Sequence, residues 1–340
     1  MSTVLVTGAS GFIAKHVVRE LLDAGHTVRA TVRSDRRRAQ VEALFPGAAV
    51  EFVSLDLTSD DGWDEALTGV DVLMHTASPF PTAPPKDPQD LIRPAVDGTL
   101  RALRAARAAG VHRVVLTSTC GAIYKPADHD WSRRKTRADW TEIDGPRTTP
   151  YEASKTLAEQ AAWRFVAEHP EMRLTVVNPG MVFGPALDEH YGSSLETVEQ
   201  LVTGRMPMLP QMNMPVVDVR DVARIHVRAM TDDGAVGQRF PANAGRMSIP
   251  EMADVLRAAY PDARITTRVA PDWLIRVLSA VVPAMRTASR GLGLNADVDG
   301  SDAPRQFGFD YISSRDALLA AAESVRGGAA AGGGGPTASR

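Results

Sequence analysis

Val4-Leu5-Val6-Thr7-Gly8-Ala9-Ser10-Gly11-Phe12-Ile13-Ala14 passes from a short apolar strand through a glycine turn into a helix. The helical spacing continues at Val17, Val18, Leu21 and Leu22 and stops at Gly25. Gly8 permits a tight turn, Gly11 lets the backbone approach a ligand closely, and Ala14 is small enough for close helix–strand packing. The first N–H groups of a helix have no partner within it, and its dipole is positive there. The turn therefore favours a pyrophosphate.

Strand-like and helix-like runs alternate outward from this unit. Thr27 to Val32, Val50 to Leu55, Val70 to His75, Val111 to Thr117 and Leu174 to Val177 read as strands, with helices over Leu91 to Ala109 and Glu152 to Glu168. Such alternation predicts an α/β protein, a Rossmann-type doubly wound parallel sheet. After Pro179 the alternation weakens, and Met206 to Pro215, with four methionines and three prolines, reads as a loop over a pocket. Helical spacing returns at Asp218 to Met230 and Pro250 to Ala259.

The expected organisation is a dinucleotide-binding domain over 1–180, with 218–230 returning to it, and a smaller mixed C-terminal substrate domain from 181–217 and 231–326. The Gly- and Ala-rich segment 327–340 is expected to be a disordered tail, because it offers little apolar area to offset its ordering entropy.

Bulk composition narrows the class. The 340 residues are 44% hydrophobic and 23% charged with a formal charge of -3, which gives no global field to gather nucleic acid or an anionic membrane. The default partner is a small molecule, with the chain a monomer or homodimer. The stretch from Val269 to Met285 is interrupted by Pro271, Asp272, Arg276 and Pro283 and falls short of a span of roughly 18 residues. No room is left for a secretory signal before Val4, so a cytoplasmic protein is expected. Cys120 is the only cysteine, which excludes an internal disulfide and a thiolate metal cluster. It reads as a small core residue. His75 has no clustered ligands near it in sequence, and no metal is expected.

The second strand delivers Arg33 where an acidic residue would accept from the ribose 2′-hydroxyl of NAD. Arg36, Arg37 and Arg38 follow, at least two of them reading as a solvated helix face. Arg33 points to NADPH rather than NADH, since a guanidinium matches a 2′-phosphate. Asp56, after the third strand, reads either as a cap on the adenine or as a helix N-cap.

Tyr151-Glu152-Ala153-Ser154-Lys155 places a phenol and an ammonium one helical turn apart on one face. A neighbouring cation favours the phenolate and is expected to draw the tyrosine's pKa from about 10 toward neutrality. Such a tyrosine is a usable general acid for a carbonyl oxygen. The fifth strand ends in Thr117-Ser118-Thr119, which offers a hydroxyl to fix that carbonyl, Thr119 first and Ser118 second.

Together these residues resemble the extended short-chain dehydrogenase/reductases, in the group of dihydroflavonol 4-reductase, cinnamoyl-CoA reductase and the fungal methylglyoxal and aldehyde reductases. The matching stretches are 6–14, Ala-Thr-Val-Arg-Ser at 30–34, His-Thr-Ala-Ser-Pro-Phe at 75–80, Pro-Ala-Val-Asp-Gly-Thr-Leu at 94–100 and 151–159. Asn178-Pro179, Val182-Phe183-Gly184-Pro185 and Asp-Val-Arg-Asp-Val-Ala at 218–223 complete them. The resemblance covers residues 3–320.

It implies NADPH-dependent reduction of an aldehyde or ketone, with Thr119, Tyr151 and Lys155 catalytic. It implies cofactor contacts at Thr7, Gly8, Ser10, Gly11, Phe12 and Ile13 in the turn, and at Arg33, Arg37, Asp56 and Leu57 around the adenosine. Thr76, Ala77, Ser78, Tyr151, Lys155, Pro179, Gly180 and Val182 complete that set, the last three on the nicotinamide side. Phe80, Tyr124 and Met181 are candidate walls for the carbonyl substrate, and could equally be packing. The family has serine where this chain has Thr119, and the segment Gly121 to Lys125 departs from the plant enzymes. A nucleotide-sugar epimerase or dehydratase shares the fold and the Tyr-Lys pair but retains NAD, which Arg33 disfavours. A non-catalytic NADPH-sensing protein would often lack the tyrosine or lysine, and both are present.

Overall fold

The computed structural model describes residues 1–78 and 87–332. Its first half runs β1 (Thr3–Thr7), α1 (Phe12–Asp23), β2 (Thr27–Val32), α2 (Asp35–Glu42), β3 (Val50–Ser54), α3 (Trp63–Leu67), β4 (Val72–His75), α4 (Gln89–Ala108), β5 (Arg113–Thr117), α5 (Pro150–Glu168) and β6 (Arg173–Pro179). Then follow β7 (Met181–Phe183), α6 (Gly192–Val202), β8 (Asn213–Asp218), α7 (Val219–Thr231), β9 (Arg239–Ala242), β10 (Gly245–Ser248) and α8 (Ile249–Ala259). The chain ends in α9 (Asp272–Leu278), α10 (Pro283–Gly291), α11 (Asp302–Phe307) and α12 (Ser314–Gly332).

Seven strands form one parallel sheet in the order β3-β2-β1-β4-β5-β6-β9. Parallel strands covered on both faces carry near-continuous apolar runs. β4 shows why, sending Val72 and Met74 into the core beneath α1 and α7 and Leu73 into the core beneath α4 and α5. Strand order reverses between β1 and β4, and a crevice opens beyond the carboxyl ends of strands at such a point. The expected Rossmann architecture is present, with most element ends within two residues of the sequence reading.

A second sheet, β10-β8-β7, packs with α6, α8 and α12 around a third core. Residues 213–218, partly assigned to a loop from sequence, are strand β8. Pro215 is tolerated because β7 begins opposite Val216, so at Pro215 the strand pairs on one side only. The two sheets nearly touch at Gly180, where a Cβ would stand 2.5 Å from the carbonyl oxygen of Pro215. Only glycine fits there.

Two placements differ from expectation. Residues 239–242, grouped with the substrate region from sequence, are the seventh strand of the large sheet, paired with β6. Residues 327–332, expected to belong to a disordered tail, are the last turns of α12. Buried Ala317, Leu318, Ala321, Ala322 and Val325 seat that helix on the third core, and its alanines have high helix propensity. Residues 333–340 lie outside the described residues. No helix among the described residues is long and apolar enough to cross a membrane.

Candidate active site

β1 ends at Thr7 and the chain turns at Gly8, whose φ of 65° lies in the left-handed region open to glycine. A Cβ at Gly8 would stand 2.9 Å from the Cβ of Ala77. The Gly8 N–H donates to Thr31 Oγ1 at 3.0 Å, which fastens the turn to β2. Thr7 Oγ1 accepts the Ala77 N–H at 3.1 Å and pairs with His75 Nδ1 at 2.9 Å, while Thr76 Oγ1 donates to the Thr7 carbonyl at 2.5 Å. The loops after β1 and β4 are thus laced together at the reversal of strand order. Helix α1 starts after Gly11 with no side-chain cap, so its leading amides are open to an anion.

These amides face a cleft of about 250 Å³. Gly8, Gly11, Phe12, Ile13 and Thr76 line it on the turn side, and Ser118, Thr119, Tyr151, Pro179, Gly180 and Val182 on the other. Ser10 sits half-buried in the turn, outside that lining. Ala77 and Ser78 border a neighbouring nook shared with Lys155.

At the other end of the turn, Arg33 follows β2 directly, is exposed, and makes neither a hydrogen bond nor an ion pair with a described residue. Arg37 lies in α2, its guanidinium bonded to Gln40 at 3.0 Å. Arg36 is exposed and Arg38 lies over the Phe52 ring, which fits the reading of two solvated arginines. Asp56 accepts from the Thr58 N–H at 2.8 Å and its hydroxyl at 2.7 Å, and these bonds hold its carboxyl below the usual range. It does not cap a helix, since α3 opens at Gly62. Leu57 packs beside Gly98 of α4.

Helix α5 opens on a reciprocal capping box between Thr149 and Glu152 with Pro150 at its start, which fixes the helix entry just before Tyr151. Thr119, after β5, accepts the Gly121 N–H at 3.1 Å and is hydrogen-bonded to Tyr151. Ser118 donates its proton to Glu159 at 2.6 Å. Of the two candidate hydroxyls, Thr119 is the one joined to the phenol.

Burial pushes the Tyr151 phenol up to about 12, the Thr119 bond acting in the opposite direction. Desolvation of the anion is the largest cause, and the Glu152 carboxylate acts in the same direction. Burial draws Lys155 down to about 8 against the opposing charge of Glu159, and its Nζ donates to the Thr117 carbonyl at 3.4 Å. The pair is a protonated phenol beside an amine that remains mostly cationic at neutral pH.

The candidate substrate walls fare differently. Tyr124 is not among the residues lining the cleft; it donates to Glu152 at 2.5 Å and packs with Cys120, Ile123 and Val298. Met181 packs against the third core and is absent from the cleft lining. Phe80 lies outside the described residues. Tyr191, Ser193 and Ser194, not singled out from sequence, do line the cleft, and Ser194 Oγ accepts the Val182 N–H at 3.3 Å. The signal for them was Gly192-Ser193-Ser194, a helix start following a loop. Cys120 is buried, donates to the Asn178 carbonyl at 3.1 Å, and has its thiol pKa pushed up by burial. Among the described residues no group of three His, Cys, Asp or Glu side chains stands together as metal ligands.

The profile of the NAD dependent epimerase/dehydratase family matches residues 4–243. Cinnamoyl-CoA reductase 1 of Arabidopsis thaliana is 34% identical, over 78% of this chain and 77% of that one. The NADPH-dependent methylglyoxal reductase GRE2 of Saccharomyces cerevisiae is 28% identical, over 95% of this chain and 98% of its own. The crystal structure of Gre2 in complex with NADPH from Candida albicans superposes with a TM-score of 0.80 at 28% identity, covering 96% of this chain and 99% of that one. With the strand order, the glycine turn and the Thr-Tyr-Lys grouping in place, the chain belongs to the NAD-dependent epimerase/dehydratase family, the extended short-chain dehydrogenase/reductases.

Proposed function

We propose that this protein is an NADPH-dependent carbonyl reductase in which Tyr151 protonates the carbonyl oxygen. The observation that carries the reading is the Thr119–Tyr151 hydrogen bond, set in the wall of a cleft whose other side is the uncapped start of α1. The reductase names of the relatives and the NADPH complex of the structural neighbour support it.

The cleft and its surroundings fit a dinucleotide: an uncapped helix start, a glycine that brings backbone to the ligand, and an exposed arginine past β2. Gly8, Gly11, Phe12 and Ile13 would hold the pyrophosphate, Arg33 and Arg37 the 2′-phosphate, Asp56 and Leu57 the adenine side, and Pro179, Gly180 and Val182 the nicotinamide side. When bound, NADPH supplies the hydride that reduces the carbonyl carbon. Thr119 orients the carbonyl oxygen, and Tyr151, protonated across the neutral range, delivers the proton that makes it a hydroxyl. The Lys155 cation stabilises the phenolate left behind. Residues of 181–217 and 231–326, apart from β9, would form the wall that selects the carbonyl compound.

The test is NADPH consumption across aldehydes, diketones, ketoesters and dihydroflavonols, with a nucleotide sugar as control. A carbonyl substrate is expected to be turned over. Tyr151→Phe should lower kcat by about 10² or more with NADPH affinity kept. Wild-type rates in that variant, or turnover of the nucleotide sugar alone, would defeat the reading.

A further inference from the structure

Glu159 lies one helical turn beyond Lys155 on α5 and is fully buried. Its Oε2 accepts from Ser118 Oγ at 2.6 Å and Asn178 Nδ2 at 2.8 Å. Its Oε1 accepts from Arg239 Nε at 2.6 Å and Trp163 Nε1 at 3.3 Å. Four hydrogen bonds meet two oxygens, three of them from the N–H groups of Asn178, Arg239 and Trp163. Arg239 is the counter-charge of the carboxylate. Arg239 is itself fixed, donating to the carbonyls of Arg137 and Asp139 at 2.8 and 2.7 Å and lying 3.7 Å from the centre of the Trp140 ring.

A buried ion pair carries a desolvation cost that apolar packing would avoid. The bonds of this one converge on the catalytic turn. Ser118 is held directly, and Asn178 also donates to the Thr119 carbonyl at 3.3 Å. Glu159 and Lys155 wall the same nook of about 10 Å³ with Thr117 and Ser118.

We propose that Glu159, held by Arg239, is a positioning residue: it fixes the Ser118–Thr119 turn and supplies the anion that faces the Lys155 ammonium. The proposal rests on the carbonyl-reductase reading. Among the described residues, Glu159 on α5 and His75 on β4 interact electrostatically with Lys155, Tyr151 lies one turn before it, and Arg239 on β9 and Cys120 stand by Glu159. Burial keeps His75, Cys120 and Tyr151 uncharged near neutrality. The field on Lys155 thus comes from Glu159, attenuated by Arg239.

Removing each partner should therefore act on Lys155 with opposite sign. Glu159→Gln turns an amide N–H toward at least one of the four donors and deletes the anion. Its kcat should fall about tenfold or more, with carbonyl KM and NADPH Kd within about threefold. The alkaline limb of kcat should move to lower pH, while Arg239→Met, which leaves the anion uncompensated, should move it to higher pH. A second readout uses the protein without cofactor: reductive methylation of Lys155 against pH, followed by peptide mass spectrometry, whose midpoint should move in the same two directions. If either single variant folds poorly, the paired Glu159→Gln/Arg239→Met variant removes both charges. It should recover melting temperature while kcat stays low and the Lys155 midpoint stays below wild type. A wild-type kcat and midpoint in Glu159→Gln, or shifts of one sign in both single variants, would overturn the proposal. Should the unmodified protein reduce no carbonyl, the functional reading fails, and the methylation midpoints still decide whether Glu159 faces Lys155.

Discussion

Lys15, on the helix that follows the glycine turn, is ion-paired with Asp188 and donates to the His190 carbonyl at 2.8 Å, although its side chain is only 1% exposed. Burial lowers the ammonium's pKa and the Asp188 carboxylate opposes that shift. A buried cation of this kind persists only because it is paired. The pair links α1 to the segment that carries Tyr191, Ser193 and Ser194 into the cleft wall. Lys15→Met should cost about 1–3 kcal/mol of stability and loosen that wall. Steady-state kinetics should show a raised carbonyl KM with a smaller change in kcat, and an unaltered KM would detach the pair from the cleft.

Thr119 and Ser118 are neighbours with separate tasks, so their variants should part. Thr119→Val removes the hydroxyl joined to Tyr151 and should lower kcat by about 10²-fold. Ser118→Ala leaves Glu159 with its other three donors and should cost about 1 kcal/mol of stability with a much smaller loss of kcat. Single-turnover rates on both variants would reverse the roles if Ser118→Ala proved the slower.

Arg33 is exposed at the end of β2 and engaged by no hydrogen bond from the described residues, whereas Arg37 is tied to Gln40. Loss of a charge-assisted contact to a phosphate is worth roughly 1.5–3 kcal/mol, so losing Arg33 alone should weaken NADPH binding by about tenfold to a hundredfold. Arg33→Asp, which also repels the phosphate, should go further and reverse the coenzyme preference. NADH should be spared or improved, and Arg37 should give a smaller effect of the same sign. The measurement is kcat/KM for both coenzymes with one carbonyl compound. Equal losses would make Arg33 structural.

Three buried histidines make stability sensitive to acid. Burial holds His16 and His226 down to about 4 and His75 down to about 3, from an ordinary value of 6.5. The unfolded chain binds protons at these sites below pH 6.5 while the folded one resists, so stability rises with pH through this window. It is complete above pH 6.5 and is lost as pH falls toward 4 and 3, by an amount on the order of a few kcal/mol per histidine. Urea midpoints against pH should show this slope, and His226→Gln should flatten it. An unchanged slope would place the acid sensitivity elsewhere.

The large sheet was legible because parallel strands covered on both faces leave continuous apolar runs, and Val4 to Ala14 signals strand, turn and helix within a few residues. The Tyr151–Lys155 pairing was legible for a similar reason, since helical spacing alone puts both on one face. Strand β9 was hidden: Arg239-Phe240-Pro241-Ala242 is short and polar at one end, and only pairing with β6 gives it a role. Spacing does not reveal the depth of burial of Tyr151, the largest influence on its phenol. Tyr191 and Ser194 reach the cleft through tertiary packing across some 180 residues from the turn, which no local pattern encodes.

A chain of this length whose sole sulfhydryl, Cys120, is buried against the Asn178 carbonyl is expected to be silent toward thiol reagents. Any cysteine introduced on the outside becomes a unique attachment point. Exposed Arg36 on α2 and exposed Arg276 on α9 could each carry a fluorophore or a nitroxide without a background signal. The distance between two such probes would then report whether α2 and α9 change separation when coenzyme binds and during turnover.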